Sequence, residues 1–189
     1  MKFTPGNEWS WGFSDERAGV RALILHICDD AGMRYIFTTH YTTADLREFP
    51  QPQQAFCIED AALLTDFQEG LYAINIVQDE ICLPLALNAL ACARFVKLPR
   101  PCGRLFLPFA GNMVPHRGQV VSLYSKDGGV GDFMVLDDEP DSDVYRVMLL
   151  NQEWDLAHIV LKSGAMIRVP GSCLCAYRSI SLQRTARYA

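Results

Sequence analysis

Seven cysteines and four histidines are the residues of this chain best equipped for nucleophilic or metal chemistry. The cysteines are Cys28, Cys57, Cys82, Cys92, Cys102, Cys173 and Cys175. Their number is odd and no C-x-x-C occurs, so neither a disulfide framework nor a paired zinc motif is spelled out. Cys173-x-Cys175 is half a zinc site at most, with no His following at ligand spacing. Alternation along a strand explains it better. Cys82 and Cys92 stand among apolar residues and read as small hydrophobes. His26, His40, His116 and His158 are scattered. The first two fall on the two strands of one hairpin, which suits a cross-strand polar pair better than a metal site. The glycines of "KDGGVGD" lie between two strands with no following helix whose amides would cradle phosphate. The five acids of "DDEPDSD" lack the Gly and terminal Glu of a calcium loop and read as a solvated turn. No nucleophile elbow, phosphate loop or metalloprotease motif is present. The chain reads as non-enzymatic, with no cofactor and no metal.

Charge is the more informative chemistry. Residues 1–80 hold 13 acids and 5 bases; residues 127–189 hold 9 acids and 6 bases. Between them, residues 81–126 hold no acid and six bases: Arg94, Lys97, Arg100, Arg104, Arg117 and Lys126. An acid-free run of 46 residues in a chain of net charge −5 creates a local positive field that steers acidic partners. Arg94, Lys97, Arg100 and Arg104 are the candidate partner-binding residues. Arg94 and Lys97, three apart, are expected on one helix face. The bland alternative pairs each of the four with the acids of residues 1–80. Nucleic acid is disfavoured as a target by a sequence pI near 5.3. An acidic protein surface fits better.

These residues need elements to position them. "EWSWGF" alternates, with Trp9, Trp11 and Phe13 on one face, and residues 20–28 and 33–41 read as a hairpin closed by "DDAG". A three-stranded antiparallel sheet follows. Residues 59–74 place Leu63, Leu64, Phe67, Leu71 and Ile74 at helical spacing, with Gly70 a weak point. A second helix begins at Asp79 with a kink, because the Pro84 ring would clash with the Glu80 carbonyl, or starts near Leu83, and it ends before Pro99. It is apolar nearly all round, hence buried, with Asn88 a polar member in need of a partner. Beyond Pro101 the grammar changes to short β-rich runs separated by turns: "RLFLPF", "QVVSLYS", "DFMVLDD", "VYRVMLL", "HIVLK", "AMIRV" and "CLCAY". The fold class expected is α+β: an N-terminal α/β domain over residues 1–100, with an antiparallel sheet and two main helices, then a small β-barrel-like domain over residues 104–189. No apolar run reaches the ~20 residues of a transmembrane helix. With no signal-peptide pattern at the start, a reduced cytoplasmic setting is expected.

Several pieces in order resemble one family. "FCIEDAALLTDF" resembles an F-x-x-x-D-A-A-L-x-x-x-F segment and "LALNALACARFVKLPRP" an L-x-L-N-A-L-x-A-x-R-[FY]-L-K-P segment. The opening W-S-W and, more weakly, "VPHRGQVVSLYS" and "LKSGAMIRV" agree, with Val114 standing where the family pattern carries Trp. The chain resembles the ZapC family of cell-division proteins associated with the FtsZ ring. That resemblance implies an N-terminal α/β domain, a C-terminal barrel-like domain and no catalysis. It further implies a monomer that binds polymerised FtsZ in the cytoplasm at the midcell ring, promotes lateral association of filaments and lowers GTP turnover. The remaining alternative is a module that binds a small ligand or nucleic acid in a basic cleft between the domains.

Overall fold

The computed structural model describes residues 4–6, 8–109, 113–138, 143–156 and 159–177. His158, most of the acidic run after Asp138, and Arg184 and Arg187 of the tail lie outside them. The first sheet contains β1 (Ser10–Phe13), β2 (Ala22–Cys28), β3 (Arg34–Thr42) and β4 (Gln54–Ala55), in the order β3-β2-β1-β4 and antiparallel throughout. The β4 strand, two residues long, was invisible to periodicity. The hairpin between β2 and β3 closes through the Asp29 carboxylate, which accepts the Ala31 and Met33 amides at 2.9 and 2.8 Å, with Gly32 at φ +79°. Trp11, Leu23, Leu25 and Ile27 lie in the core that this sheet forms with α1 (Ile58–Ala73) and α2 (Asp79–Phe95).

Helix α1 buries Leu64, Phe67 and Leu71, the stripe that its spacing predicts. Helix α2 starts at Asp79, not Leu83, and carries Pro84 inside it. Every residue from Ala86 to Ala93 is buried. The helix stops at Phe95, three residues earlier than expected, because the chain beyond pairs with another segment. The Lys97 amide donates to Asp45 and the Arg47 amide to Phe95, at 2.9 and 2.8 Å. Asn88 resolves an irregularity of the sheet. Between Ala22 and Ile24 the β2–β3 register slips, and the displaced His40 amide donates to Asn88 Oδ1 at 2.8 Å. Asn88 Nδ2 donates to the Pro84 carbonyl at 2.9 Å. Replacing Asn88 with Leu leaves the His40 amide without its acceptor, while the Pro84 carbonyl keeps its helical bond, and should cost ~1–3 kcal/mol. Urea denaturation measures it, and an unchanged midpoint would refute the assignment.

The C-terminal half is a five-stranded antiparallel sheet in the order β10-β7-β6-β5-β11, with a separate β8–β9 hairpin. The strands are β5 (Val120–Tyr124), β6 (Val130–Val135), β7 (Val144–Leu149), β8 (Glu153–Leu156), β9 (Ile159–Lys162), β10 (Met166–Pro170) and β11 (Cys175–Ala176). The established class is α+β with this second sheet. Its order is open, with no β10–β11 pair among the described residues. "RLFLPF" is not a strand but a 3₁₀ turn, Gly103–Leu105, followed by a single bridge from Phe106 to Ser125. Nor does Cys173-x-Cys175 alternate on one strand: Cys173 ends a 3₁₀ turn and Cys175 opens β11.

Alternation on these strands serves two cores. Val120, Met134 and Met148 join the core of α1, α2 and the first sheet. Val121, Leu123, Phe133, Val135, Val147 and Leu149 face a second core closed by Phe106, Trp154 and Leu174. A sheet buried on both faces explains the continuous apolar runs of its strands. The two halves are tied at the edges as well. Arg117 bridges Asp66 of α1 and Asp138 at 2.8 and 2.7 Å. The Tyr41 hydroxyl donates to the Gly164 carbonyl at 2.8 Å. Arg146 donates to Ala93, in the last turn of α2, at 3.1 Å, while its Nε holds Asp137 at 2.7 Å.

Candidate partner-docking surface

The acid-free segment does not act as one cluster. Arg94, still inside α2, turns inward. Its guanidinium forms a short ion pair with Asp60, whose side chain is fully buried, and donates to Cys57 Sγ at 3.3 Å. It also lies 5.5 Å from the Phe95 ring centroid. Asp60 accepts in addition the Cys57 amide at 3.1 Å, capping α1, and the Trp11 indole N–H at 3.2 Å. This hub joins α1, α2 and β1. The acid that Arg94 needed is 34 residues away in sequence, so sequence proximity could not supply it.

Lys97, Arg100 and Arg104 go the other way. All three are exposed, and none makes an ion pair among the described residues. Lys97 lies past the end of α2, so it shares no helix face with Arg94. Its Nζ donates to the Ala44 carbonyl at 2.8 Å. Beside it a groove of about 340 Å³ runs along the junction of the two halves, its lining including His40, Asp45, Lys97, Pro99, Lys162 and Met166. From there the connector passes along β10, where Pro101 bridges Arg168 and the Cys102 amide donates to the Arg168 carbonyl at 2.9 Å. Arg100 and Arg104 flank this contact. The connector is therefore a strap fixed by backbone bonds.

The groups first considered for chemistry are placed otherwise. Burial pushes the thiols of Cys82, Cys102 and Cys173 up, and that of Cys92 to about 12. The Glu8 carboxylate, with burial, raises Cys28. At neutral pH these are protonated thiols, poor as nucleophiles and as ligands. His26 and His40 diverge, His26 lying over Gly12 and His40 donating from Nδ1 to the Ser163 carbonyl at 2.9 Å. No group of three His, Cys, Asp or Glu able to hold a metal occurs among the described residues, and no described helix is long and apolar enough to cross a membrane.

Fold and surface define an α+β protein with two main sheets, joined by an exposed basic connector whose Lys97, Arg100 and Arg104 are in no ion pair among the described residues. Comparison with known proteins makes this specific. Residues 2–97 match the family model for the N-terminal part of cell-division protein ZapC. Cell division protein ZapC of Xenorhabdus bovienii is 26% identical over 179 residues, covering 94% of this chain and 93% of its own. That of Musicola paradisiaca is 29% identical over 178 residues, covering 93% and 90%. That of Proteus mirabilis is 31% identical over 127 residues, covering 67% and 65%. The chain belongs to the ZapC family of cell-division proteins.

Proposed function

We propose that this chain is a non-enzymatic, cytoplasmic division protein that binds polymerised FtsZ at the midcell ring. In this reading it promotes lateral association of filaments and lowers their GTP turnover. The observation that carries the reading is the exposed trio Lys97, Arg100 and Arg104 on a fixed connector, in no ion pair among the described residues, in a family of cell-division proteins. Arg94 drops out of the contact set, since its charge is already matched by Asp60. Individual exposed charges contribute little to affinity but set association rate and salt sensitivity. A monomer touching neighbouring filaments weakly gains from avidity along the polymer. Reversing Lys97 and Arg100 to Glu should sharply weaken co-sedimentation with FtsZ polymers while the circular-dichroism melt is unchanged. Undiminished pelleting would exclude the trio as the site.

A second reading rests on the junction groove, where Lys97, Lys162 and His40 converge. With the Asp45 carboxylate of the same lining held by Thr42, the two lysines are the groups that would meet a small anionic ligand or a nucleic-acid backbone. Binding of labelled oligonucleotides that falls steeply with salt would favour it over FtsZ.

A further inference from the structure

The segment after the basic trio has an unusual surface. Phe106 is fully buried against Trp154, their ring centroids 5.9 Å apart, yet the alternate residues Leu107 and Phe109 are 47% and 44% exposed. The chain here is held out on purpose-built bonds rather than left loose. The Lys126 amide donates to Leu105 at 3.0 Å, the Leu107 amide to Tyr124 at 2.8 Å, and the Phe109 amide to Ser172 at 2.7 Å. Those bonds also place Lys126 beside the strap, one residue from Arg104 across the pairing. Neither cation is in an ion pair among the described residues. An exposed apolar pair on a backbone-fixed segment, with cations at neighbouring positions of the same pairing, has the composition of a binding hot spot.

We infer that Leu107 and Phe109 are the apolar anchor of the docking surface, with Arg104 and Lys126 as its rim, and that the occupant is an acidic segment bearing aliphatic side chains. The inference rests on the proposed reading that the partner is FtsZ, and it extends the site onto the C-terminal half. Charge complementarity selects the occupant: Asp127, the acid next to Lys126, is held by the Ser125 hydroxyl, while Arg104 and Lys126 are in no ion pair among the described residues, so an acidic segment gains most from them. The strap is already ordered, so binding incurs little further loss of conformational freedom at this surface.

The test is co-sedimentation with purified FtsZ polymers, using the wild-type chain, the Leu107→Ser/Phe109→Ser double variant and Lys126→Glu. The apolar double variant should bind at least about tenfold more weakly at all salt concentrations, tenfold being ~1.4 kcal/mol. Lys126→Glu should flatten the salt dependence. Wild type and the apolar variant pelleting alike would overturn this inference and leave the basic-trio reading standing. Failure of the wild type to pellet would overturn both. Should the double variant melt early, a benzoylphenylalanine photo-crosslinker replacing Phe109 gives the second measurement. Crosslinking to FtsZ from position 109, and not from position 36 on the exposed side of β3, is the expected result. Equal or absent crosslinking from 109 would overturn the proposal.

Discussion

Replacing Arg94 with Ala should lower stability by ~3–5 kcal/mol, because it leaves the Asp60 carboxylate buried without its counter-charge. For a chain of this size each kcal/mol moves the melting midpoint by about 2–4 °C, so a fall of roughly 6–20 °C is expected in calorimetry. The same change removes the bond to Cys57 and loosens the cap of α1. Asp60→Ala should cost a comparable amount, since it leaves the Trp11 indole and the Cys57 amide without an acceptor. The double variant Asp60→Leu/Arg94→Met should recover part of the loss, as neither charge is then stranded. Lys97→Glu, exposed and outside the hub, should change stability by no more than ~0.5 kcal/mol. A melt of Arg94→Ala indistinguishable from wild type would show that the buried pair does not carry the junction of α1, α2 and β1. Any loss of partner binding in Arg94→Ala should track its melt, whereas loss in the Lys97 variant should not.

Gly70→Ala is the second large effect, and two principles oppose each other in its sign. In an isolated helix Ala is better than Gly by ~1 kcal/mol. Here a Cβ on Gly70 would fall 1.7 Å from the Gly118 carbonyl oxygen, backbone that has no side-chain freedom to yield. The reciprocal Cβ on Gly118 would fall 2.3 Å from the Asp66 carbonyl, at a φ of +81°. Overpacking of this kind costs ~1–3 kcal/mol and a left-handed non-glycine residue a similar amount. Packing therefore wins. Gly70→Ala should lower the urea midpoint, and Gly118→Ala, which suffers both penalties, should lower it further. A raised midpoint for Gly70→Ala would mean that α1 and the second sheet do not meet at this point.

Gly70 also shows what kind of information the sequence carries. From periodicity alone it is a flaw in a helix; its reason is a residue 48 positions away. The elements whose cause is local were legible: the first hairpin with its Asp29 turn, the stripe of α1, the all-round apolarity of α2, and six of the C-terminal strands. The β4 strand and the β8 strand were not read, the first too short and the second, "EWDL", too polar on its outward face. The end of α2 was misplaced because its termination comes from pairing with residues 45–47 rather than from Pro99. The basic surface proposed for docking was half legible. An acid-free run is a sequence property, and Lys97, Arg100 and Arg104 follow from it. That Arg94 belongs to a buried hub, and that Leu107 and Phe109 stay outside while Phe106 goes in, is decided by tertiary contacts that no spacing encodes.

The shared core has a consequence for how the protein is made. Val120, Met134, Leu136, Met148 and Leu150 complete the apolar cluster that α1, α2 and the first sheet begin. During synthesis at about 5–20 residues per second, roughly 3–10 s separate the emergence of Phe95 from that of Leu150. For that interval the nascent chain presents an unfinished apolar face to the cell. Truncation or frameshift between those points leaves a fragment fit for chaperone capture or degradation. Selection on the distal strands is thus selection for solubility of the proximal ones, well before any partner is met.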